Sequence, residues 1–348
     1  MNPRRFVLLF LGVLTALRLV LIGQFELFPD ESYYYMWSER MDWSFFSKGP
    51  GVAATMWLST HLFGVSEFGL RFFSPILALG TSLMLWSLAR RLYNESVAAW
   101  TVLMINVVPI FNAGSLVMTI DPLSIFFWSA ALVTTWIALS QSPKFSFWWP
   151  LTGLLIGLGF LSKYTNAMQI LCIALLLAIT AKYRGEFRRR GFYAMIGVFL
   201  LCCIPVLIWN AQHEWVTLEH LTARGGLKKP WSFHPGELAS FIGMHFGVYS
   251  PLIFAAMATA AVWGWRKARH SFKARFLLCF GLPLFALYFW LSLKQAGEAN
   301  WTAPGALSIG ILTVALWHEG SEEKQWMRRF SVVALAIGAG MSIIIINT

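Results

Sequence analysis

"FPDESYYYMWSERMDWSFFSKGP", residues 28–50, is the densest polar cluster in a chain otherwise rich in Leu, Phe, Val, Ile and Trp. It follows an apolar run at residues 6–25, and about 20 such residues cross the hydrocarbon core of a bilayer. Composition agrees with this local picture. Of 348 residues, 57% are hydrophobic and 12% charged, about half of the roughly 25% charged residues that a soluble domain carries. Lipid is therefore the solvent for most of the chain, and membrane lipids are its first partners. The 18 Trp and 29 Phe supply material for aromatic belts at the two interfaces.

The net charge of +11 does not signal nucleic acid. The basic residues gather in short clusters between apolar runs: Arg4/Arg5, Arg90/Arg91, 182–190, 266–275 and Lys324/Arg328/Arg329. That distribution is the positive-inside pattern of membrane proteins. The runs fall near 6–25, 70–89, 97–113, 122–140, 147–161, 166–181, 192–210, 238–264, 276–293, 303–317 and 330–346. They predict an all-α polytopic membrane protein of about eleven spans, organised as one domain over 1–348. With the N-terminus in the cytoplasm, 18 of the 27 Lys and Arg lie on the cytoplasmic side. Eight lie outside (Lys228 and Lys229 among them), and Arg18 falls within the first span, where an acid is its expected partner. The basic start resembles a signal peptide, but its apolar part is too long and lacks a small-residue cleavage site, so a retained first helix is expected. Cys172, Cys202, Cys203 and Cys279 lie inside apolar runs without ligand spacing and read as packing residues.

Eleven of the sixteen acids fall on the outer side. The charge rule governs Lys and Arg and says little about carboxylates, so this excess points to a catalytic or ion-handling face. Two outer segments are long. Residues 26–69 carry amphipathic patches and predict helices lying along the interface. Residues 211–237, with Gly225-Gly226 and two prolines, predict a flexible loop, while "WNAQHEWVTLEHLTAR" at 209–224 fits an amphipathic interfacial helix as well as a sugar- or phosphate-binding segment.

Five distant segments bring polar groups to that outer face: Asp30-Glu31; Ser47-Lys48-Gly49-Pro50; Asp121 in "MTIDP"; Lys163, Tyr164 and Asn166 in "GLGFLSKYTN"; and Lys294, Glu298, Asn300 and Trp301 in "KQAGEANWTAP". A charge at a span centre costs about 2.5–3.5 kcal/mol on insertion scales and less near the interface. Solvated loop charge explains Glu31, Glu298 or Lys294 as well as a site does. Asp30, Lys48 and Asp121, flanked by apolar and aromatic residues, point more firmly to a site.

The series "PDESYYYMWSERM", "DWSFFSKGP", "WLSTHLFGVSEFGLRFFS", "TIDPL" and "GLGFLSKYT" resembles the membrane glycosyltransferases of the C-type fold. The nearest branch is similar to bacterial relatives of the protein O-mannosyltransferases and of the lipid A aminoarabinose transferases, over residues 4–310. The resemblance implies the GT-C fold and a sugar donor carried on a polyprenyl phosphate. It also implies inverting transfer to a lipid, glycolipid or glycan acceptor on the periplasmic face of the inner membrane. By motif match Asp30 is the base on the acceptor hydroxyl, and Asp121 is a second carboxylate that orients the acceptor or assists a metal. Lys48, Lys163 and Arg224 are the donor-phosphate candidates. Glu31, Tyr34, Tyr164, Glu298, Asn300 and Trp301 are the substrate-binding candidates, although Trp301 fits an interfacial belt equally well.

The chemistry is consistent with those residues. A sugar phosphate carries a good leaving group, so a cation on the developing phosphate charge suffices. Direct displacement with one base gives inversion without the carboxylate pair of hydrolases. One departure concerns a divalent metal: the aminoarabinose transferases have an acid before the motif lysine, and here it is Ser47. No cofactor is assigned, and a divalent metal stays open. His213, His220, His234 and His245 match no ligand template and read as surface or structural groups. The alternative function is a transporter or flippase of a lipid-linked sugar. It would handle the same lipid and need no base beside an acceptor.

Overall fold

The structure, a computed structural model, describes residues 2–226 and 230–346; Lys228 and Lys229 lie outside the described residues. The described residues form helices without strands. In chain order these are α1 (Pro3–Leu21), α2 (Pro29–Ser38), α3 (Gly51–Phe63), α4 (Glu67–Arg71), α5 (Phe73–Leu92), α6 (Glu95–Val107), α7 (Pro109–Ala113), α8 (Ile120–Ser140) and α9 (Trp148–Ser162). They continue as α10 (Met168–Ile179), α11 (Arg190–Gln212), α12 (Val216–Arg224), α13 (Pro235–Tyr249), α14 (Pro251–Lys267), α15 (Phe272–Ser292), α16 (Ala303–Glu323) and α17 (Gln325–Ile346).

Each predicted apolar run is largely helical, and two of them are divided at a proline. The run at 97–113 divides at Val108 before Pro109, and the run at 238–264 divides at Ser250 before Pro251. Proline lacks the amide needed to continue a helix and pushes the preceding residue out of the helical region. At the second break Ser250 takes φ 70°, and the two helices bend by 110°. Among the described residues six helices are long and apolar enough to cross a bilayer, or seven if the bent pair is one span. The shorter apolar helices Glu95–Val107, Trp148–Ser162 and Tyr164–Ile179 fall below that length. The predicted eleven runs thus resolve into full-length helices plus shorter and broken ones, in a multi-pass membrane protein.

The chain forms two compact units. One comprises Leu11–Thr81 and Gly114–Lys229, the other Met1–Phe10, Ser82–Ala113 and Pro230–Thr348. In the first, α9 packs tightly between neighbours because its small residues permit close approach. A Cβ on Gly153 would overlap the Met195 carbonyl, and one on Gly157 would overlap the Cys202 side chain, both on α11. In the second, α16 is the central helix, with 83% of its apolar window buried, while the window of α17 is only 17% buried. Leu200, Leu201, Ile204, Leu207 and Ile208 on α11 are exposed, as a lipid-facing stripe requires once backbone polar groups are satisfied within the helix.

The 26–69 segment holds three short helices, α2 to α4. In the 211–237 segment, α12 occupies 216–224, in keeping with the helical reading of 209–224, and is entered through Glu214 and Trp215 at φ 53° and 58°.

Candidate active site

The first acids of the 28–50 stretch begin α2. Pro29 suits the first helical turn because its missing amide is unpaired there in any case, and Asp30 and Glu31 favour the positive end of the helix dipole. The two neighbours then part. Glu31 is 0% exposed and engaged on both oxygens. Its Oε1 accepts from Arg71 Nε (2.8 Å) and the Met118 amide (2.9 Å); its Oε2 accepts from an Arg71 terminal nitrogen (2.6 Å) and the Phe28 amide (3.0 Å). Arg71, also 0% exposed, spends its other donors on the carbonyls of Ile22, Phe25 and Glu26 at 2.7–3.0 Å. All five guanidinium protons are used, and the Phe25 ring stacks over the guanidinium at 4.1 Å. Glu31 was expected at the substrate; fully buried and saturated, it instead ties the end of α1, the start of α2, the end of α4 and the entry to α8 into one knot.

Asp30 is exposed, and among the described residues its carboxylate makes no hydrogen bond or ion pair. One turn along, Tyr34 is 5% exposed and packs with Val52, Met56, Leu70, Met118, Ile120 and Leu123 as an apolar floor. Burial first, then the charges of Asp30 and Asp121, push its phenol well above the ordinary value.

Asp121 sits in the first turn of α8, where the Thr119 hydroxyl caps the helix by accepting the Asp121 amide at 3.3 Å. Lys163 lies where α9 ends in an extended residue before a short 3-10 turn, Tyr164–Ala167. Lys163 Nζ donates to Asp121 Oδ1 at 2.6 Å, with the side chains 7% and 19% exposed. Asn166 holds this turn on α8, accepting from Ser124 Oγ at 2.5 Å and donating to the Ser124 carbonyl at 3.0 Å.

Lys48 arrives on "SKGP". Gly49 and Gly51 lie directly on the end of α9: a Cβ on Gly49 would overlap the Leu161 carbonyl, and one on Gly51 would overlap Ser162 Oγ. The Ser44 hydroxyl links the Lys48 carbonyl (3.3 Å) and the Tyr164 hydroxyl (3.3 Å). Burial, followed by the charges of Arg224 and Lys163, lowers the Lys48 ammonium from 10.5 to about 8, against the opposing pull of Asp121 and Asp30.

Arg224 ends α12 and is exposed. That helix is strapped to the Lys48 loop: Thr217 Oγ1 donates to the Phe45 carbonyl at 3.2 Å, and the His220 ring lies 4.7 Å from that of Phe46. Burial, then Lys48 and Arg224, push the His220 imidazole below its ordinary value. Farther back, Trp209 Nε1 donates to Asp42 Oδ2 at 2.7 Å, and His213 stacks on Trp209 at 3.9 Å.

Asp30, Tyr34, Lys48, Asp121, Lys163 and Arg224 therefore form one electrostatic cluster within one unit, and Tyr164 reaches it through Ser44. Glu298, Asn300 and Trp301 lie together in the other unit, at the 3-10 turn Ala299–Thr302, where the Trp301 ring packs 5.2 Å from Tyr288. Among the described residues no three His, Cys, Asp or Glu side chains gather as metal ligands. His245, considered for that role, is buried and bonded to Thr302 Oγ1 at 2.9 Å and to the Phe241 carbonyl at 2.7 Å. The scaffold contacts Arg71–Glu31, Trp209–Asp42 and Thr217–Phe45 were not foreseen. For Arg71 the signal was present: a lone arginine between Leu70 and Phe72 in an apolar stretch.

Residues 47–209 match the family model of dolichyl-phosphate-mannose-protein mannosyltransferase. Lipid A galacturonosyltransferase RgtD of Rhizobium johnstonii is 27% identical over 340 residues, covering 92% of this chain and 68% of the relative. An undecaprenyl phosphate-aminoarabinose arabinosyl transferase of Proteus mirabilis is 24% identical, covering 83% of this chain and 51% of its own length. Among solved structures, ArnT of Cupriavidus metallidurans bound to undecaprenyl phosphate superposes with TM-score 0.69 at 18% identity, over 90% of this chain and 60% of that one. The oligosaccharyltransferase of Archaeoglobus fulgidus gives 0.63 at 14% identity, over 97% and 52%. This chain thus spans between about half and two thirds of the length of these proteins. With its all-helical architecture and its carboxylate–lysine cluster, it is a membrane protein of the GT-C fold, similar over residues 47–209 to the dolichyl-phosphate-mannose-protein mannosyltransferases.

Proposed function

We propose that this protein is an inverting glycosyltransferase that moves a sugar from a polyprenyl phosphate to a lipid, glycolipid or glycan acceptor. The observation that carries it is the gathering of Lys48, Lys163 and Arg224 with Asp30 and Asp121 in one cluster. Lys163 is already neutralised by Asp121. Lys48 and Arg224 press on each other, and an anion between them relieves that repulsion. A phosphate monoester or diester on a lipid tail fits, because the cluster lies at the ends of apolar helices.

In the reaction, Asp30 takes the proton of the acceptor hydroxyl as its oxygen attacks the anomeric carbon. The bond from that carbon to the phosphate oxygen breaks, and the polyprenyl phosphate leaves with the electron pair. Lys48 and Arg224 stabilise the charge that develops on it. Attack opposite the phosphate inverts the anomeric centre. Asp121, fixed on Lys163, orients the acceptor, and Tyr34 and Tyr164 flank the sugar. Glu31 serves by holding α2, and so Asp30, in place. Glu298, Asn300 and Trp301 contact substrate from their own turn. The N-terminus lies in the cytoplasm and the site faces the periplasm of the inner membrane, in keeping with the distribution of Lys and Arg.

The test is mass spectrometry of envelope lipids and glycans from a deletion strain complemented with wild type or Asp30→Asn. The proposal expects a sugar-sized mass shift restored by wild type alone, with donor accumulating beside membrane-inserted variant. Full restoration by Asp30→Asn would remove Asp30 as base and favour a lipid-linked-sugar transporter.

A further inference from the structure

In the unit built from Ser82–Ala113 and Pro230–Thr348, a second recess lies far from the 299–302 turn. It sits at the opposite end of α16, whose 21 residues span about 31 Å at 1.5 Å per residue. Here the last turns of α16, the first turns of α17 and the side of α6 enclose a cavity of about 350 Å3. Trp100, Trp317 and Val332 supply apolar walls; His318, Glu322 and Arg328 supply polar ones.

Three observations identify the occupant. First, the recess lies at the charged ends of two helices long and apolar enough to cross a bilayer, Trp100 and Val332 are 41% and 51% exposed, and α17, with 17% of its apolar window buried, forms one wall. Second, among the described residues the Arg328 guanidinium has no hydrogen-bond acceptor and no ion-pair partner. Third, Glu322 is not its partner: that carboxylate meets only His318 Nδ1, at 3.7 Å, with its side chain 74% exposed. A solvent-exposed cation without a protein partner among the described residues and a largely solvated carboxylate thus line one cavity.

We infer that this recess binds the headgroup of a zwitterionic phosphoethanolamine lipid, with the phosphate on Arg328, the primary ammonium on Glu322 and an acyl chain along Trp100 and Val332. Basic recesses between membrane helices take lipid phosphates, and a carboxylate beside the cation turns a general anion site into one for a zwitterion. A phosphoglycerol headgroup offers Glu322 no cation. A choline offers it no N–H, and charge-assisted hydrogen bonds are the stronger kind. On the orientation proposed above the lipid belongs to the cytoplasmic leaflet; the recess itself does not depend on the transferase assignment.

Native mass spectrometry of the purified chain, titrated separately with dioleoyl phosphatidylethanolamine, phosphatidylglycerol and phosphatidylcholine, tests this. One phosphatidylethanolamine is expected to be retained about tenfold more tightly than either of the others. Glu322→Gln should collapse that preference over phosphatidylglycerol, and Arg328→Gln should weaken all three lipids about tenfold. Equal or tighter binding of phosphatidylglycerol or phosphatidylcholine by the wild-type protein overturns the inference without reference to any variant. So does non-saturable uptake, or an Arg328→Gln protein of native elution that binds as wild type does.

Discussion

Two charge clusters lie in the same part of the chain, one around Glu31 and Arg71 and the other around Lys48 and Asp121, and they are built on opposite terms. In the first, an acid and a base at 0% exposure exhaust each other and the surrounding backbone. In the second, cations are pressed together, a carboxylate is paired with Lys163, and Asp30 stays exposed. A saturated buried pair fixes geometry and binds nothing further; a cluster whose cations repel one another at a helix end is poised for an anion. The contrast separates structural from functional charge even between adjacent residues.

The comparison breaks most sharply at Asp30. Asp30→Asn should lower transfer by about 10²–10⁴-fold, measured in membranes with donor and acceptor, while protein level and melting temperature hold. A transfer rate within a factor of a few of wild type would put Asp30 with the structural charges. Next in size is Arg71→Met. Removing one partner of a buried pair costs about 3–5 kcal/mol, so this variant should melt earlier in detergent and reach the membrane poorly. A melting temperature equal to wild type would mean that Glu31 is not the anchor described.

Lys48 yields a pH signature. Its folded value, about 8, lies below the ordinary 10.5, so in the free protein it loses its proton early as pH rises. Donor binding should weaken as pH climbs through about 8, and Lys48→Arg should flatten that limb in a KM–pH profile. The stability sign is the reverse. The unfolded chain binds more protons between about 8 and 10.5, so Lys48 makes stability rise with pH across that window, its burden being fully felt below it. The smallest effect sharpens the boundary of the site. Thr217→Val removes the bond to the Phe45 carbonyl and should cost about 1 kcal/mol, seen as a modest fall in melting temperature. A larger loss in donor affinity than in stability would show that α12 positions Arg224 through this strap.

The apolar runs announced the helices because their lengths and uniform hydropathy follow from the bilayer alone. What they concealed was interruption. Pro109 and Pro251 were visible in the sequence, yet the 110° bend at Ser250 depends on a positive φ that a window of hydropathy does not register. At the site, Asp30, Lys48, Asp121 and Lys163 were legible as rare charges at helix ends, and the structure brings them together. Glu31 looked equivalent to Asp30, since adjacency in sequence says nothing about which neighbour turns inward. That outcome depended on Arg71, forty positions away, and on the Met118 amide, neither of which local pattern could connect to it. The 216–224 helix was legible as an amphipathic pattern within 209–224, while the Gly225-Gly226 that ends it reads as the start of a loop.

The contact of Gly49 and Gly51 with the end of α9 has an evolutionary consequence. Because main chain rests on main chain at Gly49, and Gly51 meets only the small Ser162 hydroxyl before the same backbone, the spacing between Lys48 and Lys163 is set largely by backbone thickness. A saturation library across residues 39–63 should therefore show two narrow troughs of intolerance at these glycines, each as deep as at the lysine between them and Ser47. Exposed flanking positions such as Met41 and Trp43 should accept broad exchange. On the proposed reading, sugars of different size would then have to be accommodated around Asp30 and Tyr34, leaving the phosphate end alike across descendants of this sequence.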